Sequence, residues 1–71
     1  MNDINPILVE RYLDACRHYW QRYYSISNTP DLLYQDNIHS LYRQLRKMKM
    51  PIGDLRTIFE DTRKEIQAIM D

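Results

Sequence analysis

Residues 6–26, PILVERYLDACRHYWQRYYSI, carry the pattern that decides the fold. At about 100° per residue, apolar and aromatic side chains form two neighbouring stripes on one helical surface. The first stripe contains Leu8, Tyr12, Ala15, Tyr19, Tyr23 and Ile26, and the second contains Val9, Leu13, Cys16, Trp20 and Tyr24. The opposite face contains only polar and charged residues. We therefore predict an amphipathic helix whose apolar arc is wider than the usual core-facing stripe of about 100°.

The three prolines lie at three predicted helix starts, of which the third is less sharply defined. The three segments are Asn5-Pro6, Thr29-Pro30-Asp31 and Met50-Pro51-Ile52-Gly53-Asp54. Proline is favoured in the first helical position because its missing N–H would have no partner there. In the third segment two alternatives remain, since either Pro51 opens the helix or one of Gly53 and Asp54 caps it.

These signals predict three helices, over about 6–26, 30–49 and 52–70. The expected core stripe of the second contains Tyr34, Ile38, Leu41, Leu45 and Met48, with Tyr42 at its edge. The stripe of the third contains Leu55, Ile58, Phe59, Thr62, Ile66, Ile69 and Met70. No segment alternates with a period of two, so no strand is expected. The fold class is all-α, and short connections favour an up-down-up three-helix bundle that forms one domain over 1–71.

The composition excludes several classes of protein. With 44% hydrophobic and 28% charged residues the chain is too apolar for a disordered tail. Its net charge of zero argues against a dedicated nucleic-acid binder. Cys16 is the only cysteine, and no secretory signal or membrane-spanning apolar run is visible. We therefore expect a cytoplasmic protein.

The residue pattern does not predict an enzyme. Cys16 and His18 are two positions apart on a helix, so their side chains diverge by about 200° and cannot act as a nucleophile–base pair. No metal-ligand spacing and no glycine-rich phosphate loop is present. We expect a non-enzymatic protein without metal or cofactor.

The wide arc of the first helix favours a protein-binding function. Its second stripe is more than the narrow stripes of the other two helices need, and Trp and Tyr are enriched at binding hot spots. The predicted protein-binding residues are Val9, Leu13, Trp20, Tyr24 and Leu33. The partner is a larger protein that the chain regulates or inhibits, or a second copy that dimerises through this helix. In the alternative interpretation, Trp20 belongs to the core of the single chain.

A second hypothesis is a DNA-binding transcriptional regulator that uses the second and third helices as a helix-turn-helix. Its candidate nucleic-acid-binding residues are Arg43, Arg46, Lys47 and Lys49. Residues 45–59, LRKMKMPIGDLRTIF, resemble in their apolar spacing the helix pair that precedes the dimerisation helix of MerR-type regulators, with that family's turn glycine at Lys49. The recognition helix, wing and Arg-Tyr-Tyr segment of that family have no counterpart upstream, so no functional residue is carried over. The basic cluster also suits the negative end of a helix dipole.

Overall fold

The computed structural model describes residues 4–25 and 32–70, and of Leu32 and Leu33 only the backbone. It contains three helices, α1 (Pro6–Ser25), α2 (Leu32–Lys47) and α3 (Ile52–Met70), and no strand in the described ranges. The predicted all-α three-helix bundle is confirmed. The predicted end of the first helix at Ile26 and the start of the second at Pro30 fall outside the described residues.

The start of α1 follows the predicted cap. The Asn5 side-chain oxygen accepts a hydrogen bond from the Ile7 amide at 2.9 Å, and the Asn5 carbonyl accepts from Leu8 at 3.1 Å. Asn5 is therefore the N-cap and Pro6 the first helical residue. The third helix begins at Ile52 and ends at Met70, as predicted. The Pro51 carbonyl accepts hydrogen bonds from the Asp54 and Leu55 amides, so Pro51 is the N-cap and neither Gly53 nor Asp54 is.

The predicted end of α2 is two residues too late. The Lys49 amide donates to the Arg46 carbonyl at 2.9 Å, and the Met50 amide donates to the Leu45 carbonyl at 3.1 Å. These two bonds define a Schellman motif, in which the residue after the cap adopts a left-handed conformation. Lys49 does so, with a φ of 67°. The buried side chains of Met50 and Leu45 supply the apolar contact that accompanies the motif.

The core lies where α1 packs against both other helices. Its buried residues are Tyr12, Ala15, Cys16 and Trp20 of α1, Leu41 and Leu45 of α2, Met50, and Leu55, Thr62 and Ile66 of α3. By contrast, α2 and α3 approach each other only weakly. The broad apolar arc of α1 is therefore explained by its central position, since it faces a neighbour on two sides.

The predicted stripe of α3 extends too far. Ile69 and Met70 are exposed, with 72% and 44% of their surface accessible. The last buried residue of this helix is Ile66, and the apolar periodicity continues for one turn beyond it. In this chain the periodicity alone does not show where the neighbouring helix stops covering the stripe.

The left-handed Lys49 yields a stability prediction. A non-glycine residue in this conformation costs about 1–2 kcal/mol, and glycine avoids that cost but loses more backbone entropy on folding. We expect Lys49→Gly to raise the free energy of unfolding by about 0.5–1 kcal/mol in urea denaturation followed by circular dichroism. The matched control is Lys47→Gly, which replaces a residue with helical φ and should lower stability by up to about 1 kcal/mol. Equal losses in both variants would contradict the motif.

Candidate binding cleft between α2 and α3

A cleft of about 600 Å³ separates α2 from α3, and α1 forms its floor. It is open to solvent on one side, and its lining is mainly apolar and aromatic. The lining residues are Tyr12 and Tyr19 of α1, Gln35, Ile38, His39 and Tyr42 of α2, and Arg56, Phe59 and Glu60 of α3. This volume lies within the range of about 300–1,000 Å³ found for ligand pockets.

The floor of the cleft is attached to α3 by a buried hydrogen bond. The Tyr12 hydroxyl donates to the Leu55 carbonyl at 3.2 Å, and Tyr12 is only 3% exposed. Burial raises the pKa of this phenol well above its ordinary range, with further contributions from Cys16 and Tyr42. Tyr12 therefore remains neutral, and its hydroxyl donates a hydrogen bond to a backbone carbonyl.

An aromatic cluster positions the α3 wall. The Trp20 indole donates through Nε1 to the Phe59 carbonyl at 3.0 Å, and the two ring centroids lie 4.8 Å apart. Tyr19 also contacts Phe59, at a centroid distance of 5.8 Å. Tilted ring pairs at these distances are favourable. They place Phe59 at the junction of the α1 floor and the α3 wall.

Of the two charged side chains at the rim of the cleft, Glu60 forms an ion pair within the chain and Arg56 forms none with the described residues. Glu60 accepts a hydrogen bond from the Arg63 Nε at 2.9 Å. The pKa of Arg63 is raised, first by its hydrogen bond with Tyr24 and then by Glu60. Arg56, one helical turn before Glu60, has no hydrogen bond or ion pair among the described residues. The negative charge of the rim is thus neutralised within α3, whereas the positive charge is not.

The residues predicted to bind protein lie mostly on the side of α1 that faces α3. Trp20 is 8% exposed and belongs to the core, whereas Val9, Leu13 and Tyr24 are half-buried. Trp20 therefore lies in the core of the single chain, as the alternative interpretation of the sequence expected. The side chain of Leu33 lies outside the described residues. Whether any of these residues binds a partner stays a prediction.

The four residues predicted to bind nucleic acid are all exposed. The Arg46 guanidinium donates to the Met50 carbonyl at 2.7 Å and so stabilises the turn after α2. Lys49 holds the left-handed position of the same turn. Arg43 and Lys47 line a shallow depression on the outer face of α2, beside His39. Two of the four residues thus have a structural role in the turn.

Cys16 and His18 do not meet. Cys16 is fully buried, whereas His18 is exposed on α1 and stacks on Tyr34 at a centroid distance of 5.8 Å. Within residues 4–25 and 32–70, no group of three His, Cys, Asp or Glu side chains is arranged to hold a metal ion. Nor does any helix in these ranges have the length and apolarity needed to cross a membrane.

The sequence pattern does not predict the cleft. Tyr12, Tyr19, Ile38 and Phe59 belong to predicted core stripes, and Tyr42 lies at the edge of one. The structure confirms their apolar surroundings but leaves a gap between two of the helices that carry them. A helical periodicity defines which face is apolar, and it does not define how many helices cover that face.

A comparison of the chain with protein-family models, curated proteins and solved structures finds no match. The structure itself shows a three-helix bundle with an aromatic-floored cleft between α2 and α3.

The buried indole provides the second prediction. Trp20→Ala removes a large core side chain and its hydrogen bond, so we expect a loss of about 3–5 kcal/mol in the free energy of unfolding. Circular dichroism should show reduced helicity and a lower urea midpoint. Tyr24→Ala, at a half-buried neighbouring position, should cost clearly less. Full helicity and an unchanged urea midpoint in Trp20→Ala would contradict the core position of Trp20 and would favour its role as an exposed binding residue.

The buried thiol provides a pH dependence. Burial raises the pKa of Cys16 from its ordinary value of 9.0 to about 12, although hydrogen-bond contacts with Tyr12 and Thr62 act in the opposite direction. The unfolded chain therefore loses this proton first. The resulting stability is fully present below pH 9 and is lost as the pH rises towards 12.

We expect this thiol to lower the free energy of unfolding by on the order of 2 kcal/mol between about pH 9 and about pH 11. Urea denaturation at a series of pH values measures the effect. Tyrosines and lysines also titrate in this range, so Cys16→Ala is the comparison, and its slope should be shallower by this amount. Identical slopes would contradict the burial of the thiol.

Proposed function

We propose that this chain is a non-enzymatic, cytoplasmic protein-binding module that receives an amphipathic helix of a larger partner protein in the cleft between α2 and α3. The observation that carries the proposal is the aromatic-floored cleft itself. Apolar side chains that remain partly exposed at such a site favour binding, because removing them from water lowers the free energy of the complex. The regulatory or inhibitory role expected from the sequence is part of the same proposal.

The arrangement of the helices favours a helical occupant. Helices in contact lie with their axes about 8–10 Å apart. Here α1 contacts both neighbours, whereas α2 and α3 contact each other only weakly. This arrangement leaves a gap between α2 and α3 that α1 closes from below. A further helix in that gap would contact α2 and α3 and cover the cleft, which is helix-in-groove recognition.

The lining of the cleft suits such a helix. Ile38, Tyr42 and Phe59 form its two walls above the tyrosines of the floor. Tyrosine and phenylalanine bury large areas with few rotatable bonds, so ordering them on binding costs little entropy. The hydrogen bonds of Tyr12 and Trp20 hold the floor in place before a partner arrives. A preformed site of this kind reduces the cost of association.

The DNA-binding alternative has one observation in its favour, because Arg43, Lys47 and Lys49 are exposed at one end of the bundle. Two observations weigh against it. The weak contact between α2 and α3 does not form the packed helix pair of a helix-turn-helix. The first turn of α3, which would enter the groove, contains Asp54, whose carboxylate repels phosphates. The protein-binding proposal is therefore preferred.

The proposal is tested by selecting helical peptides against the whole chain from a random library and mapping the best binders by amide chemical shifts. We expect the shifts to concentrate on the cleft residues and the bound peptides to be helical. His39→Trp, which places an indole in the cleft, should weaken binding by at least about tenfold, equivalent to 1.4 kcal/mol. The control is Asn37→Trp, since Asn37 is exposed on the same helix but lines the opposite, α1–α2 face.

The solution mass separates this occupant from a second copy of the chain. Light scattering over a wide range of concentration should give the monomer mass of 8.7 kDa for the parent protein. Twice that mass, reduced to the monomer by His39→Trp, would show that the cleft is a homodimer interface. Selected peptides whose shifts map outside the cleft, and which tolerate His39→Trp, would also contradict the proposal.

A further inference from the structure

The zero net charge of the chain conceals a segregation of charge along the bundle. The end formed by the start of α1, the end of α2 and the start of α3 has an excess of four positive charges among the described residues. Its six cations are Arg11, Arg43, Arg46, Lys47, Lys49 and Arg56, and its two carboxylates are Glu10 and Asp54. We call it the basic end. The remaining described residues carry a small negative excess, with five carboxylates and four cations.

The cleft runs along this gradient. Because α3 runs parallel to α1 and α2 antiparallel to both, Tyr42 and Arg56 lie towards the basic end and Gln35 and Glu60 lie away from it. On the outer side of the α2 wall, His39 is shared with the depression lined by Arg43 and Lys47. The cations nearest to the basic end of the cleft are therefore Arg56 on its α3 wall and, on the outer side of α2, Arg43 and Lys47, while Asp36 lines the same outer depression farther from that end.

Pairing within the chain sharpens this asymmetry. Glu60 is neutralised by Arg63 at 2.9 Å, whereas Arg56 makes no ion pair within the described residues. A partner group that buries Arg56 without a counter-charge would pay for its desolvation, and a carboxylate would compensate that cost. A cationic partner at the same place would be repelled.

Resting on the function proposed above, we infer that the partner helix is acidic, with one or more carboxylates beside its apolar face that pair with Arg56 and extend towards Arg43. Its apolar side chains meet the tyrosines and Phe59, and its carboxylates determine which end lies over the basic end. The charge gradient thus selects both the sign of the partner and its orientation in the cleft.

The test uses two designed helical peptides of about 18 residues, long enough to span the cleft at 1.5 Å per residue. Both carry Leu and Phe at the i, i+3, i+4 and i+7 positions. One has Glu at the flanking positions, and its twin has Lys at each of them. Titration calorimetry against the parent chain at low salt should show the Glu peptide binding about tenfold more tightly or better. The difference should shrink in about 0.5 M salt, where the Debye length is only a few ångströms.

Charge reversal assigns the preference to the cleft. Arg56→Glu should abolish or invert the preference for the Glu peptide. Arg11→Glu is the matched control because it changes the net charge equally, lies at the same end, and lines the opposite, α1–α2 face. It should leave most of the preference intact. Circular dichroism verifies that both variants, which alter exposed side chains, remain folded.

The outcomes separate the inference from the function on which it rests. If neither peptide binds in the cleft, the helix-binding function itself is wrong. If both bind there equally, or the Lys peptide binds more tightly, the function stands and the acidic partner is rejected. A short random-sequence DNA duplex that binds more tightly than the Glu peptide, and loses affinity in Arg56→Glu, would instead assign the basic end to nucleic acid.

Discussion

Burial of α1 on two sides is the constraint from which the rest of the structure follows. One side of its aromatic arc packs on α2 and the other on α3, and both sides contribute to a single core. On the α3 side, the polar groups of two buried aromatic side chains also form directional hydrogen bonds. The Tyr12 hydroxyl and the Trp20 indole donate to the backbone carbonyls of Leu55 and Phe59. Hydrogen bonds to these particular carbonyls, together with the packing of the buried side chains, specify the register of α3 on α1.

The same constraint opens the cleft. Because α2 and α3 each bury their apolar stripe mainly against α1, they make little contact with each other. The volume between α2 and α3 is left with aromatic walls and no third layer. Burial of that remaining apolar surface by a partner would lower the free energy of the assembly. This is the physical basis for proposing the cleft, rather than the more buried α3-facing side of α1, as the partner site.

The positive charge at the basic end is explained in part by local helix stability and not by packing. Several cations of the basic end also serve local structure, as Arg46 does when it donates to the Met50 carbonyl. Cations in the last turn of α2 are favourable because they lie at the negative end of its dipole. Helix stability thus favours a positive end near the cleft, and a binding function could use the field that results. The zero net charge of the chain gives no indication of this, since the remaining described residues carry a small negative excess and three further aspartates lie outside the described ranges.

The sequence by itself determined the helices and their apolar faces. Proline and Asn5 mark the start of α1 through local backbone chemistry, and the stripes follow from a fixed angle per residue. Local signals could not give the last turn of α2, where Lys49 takes the left-handed position that usually carries glycine. Only the tertiary structure decided that Trp20 is core and that Tyr42 and Phe59 border a cleft. The reason is that burial depends on how many neighbours a helix meets and at what separation, and no single segment of the chain encodes that information.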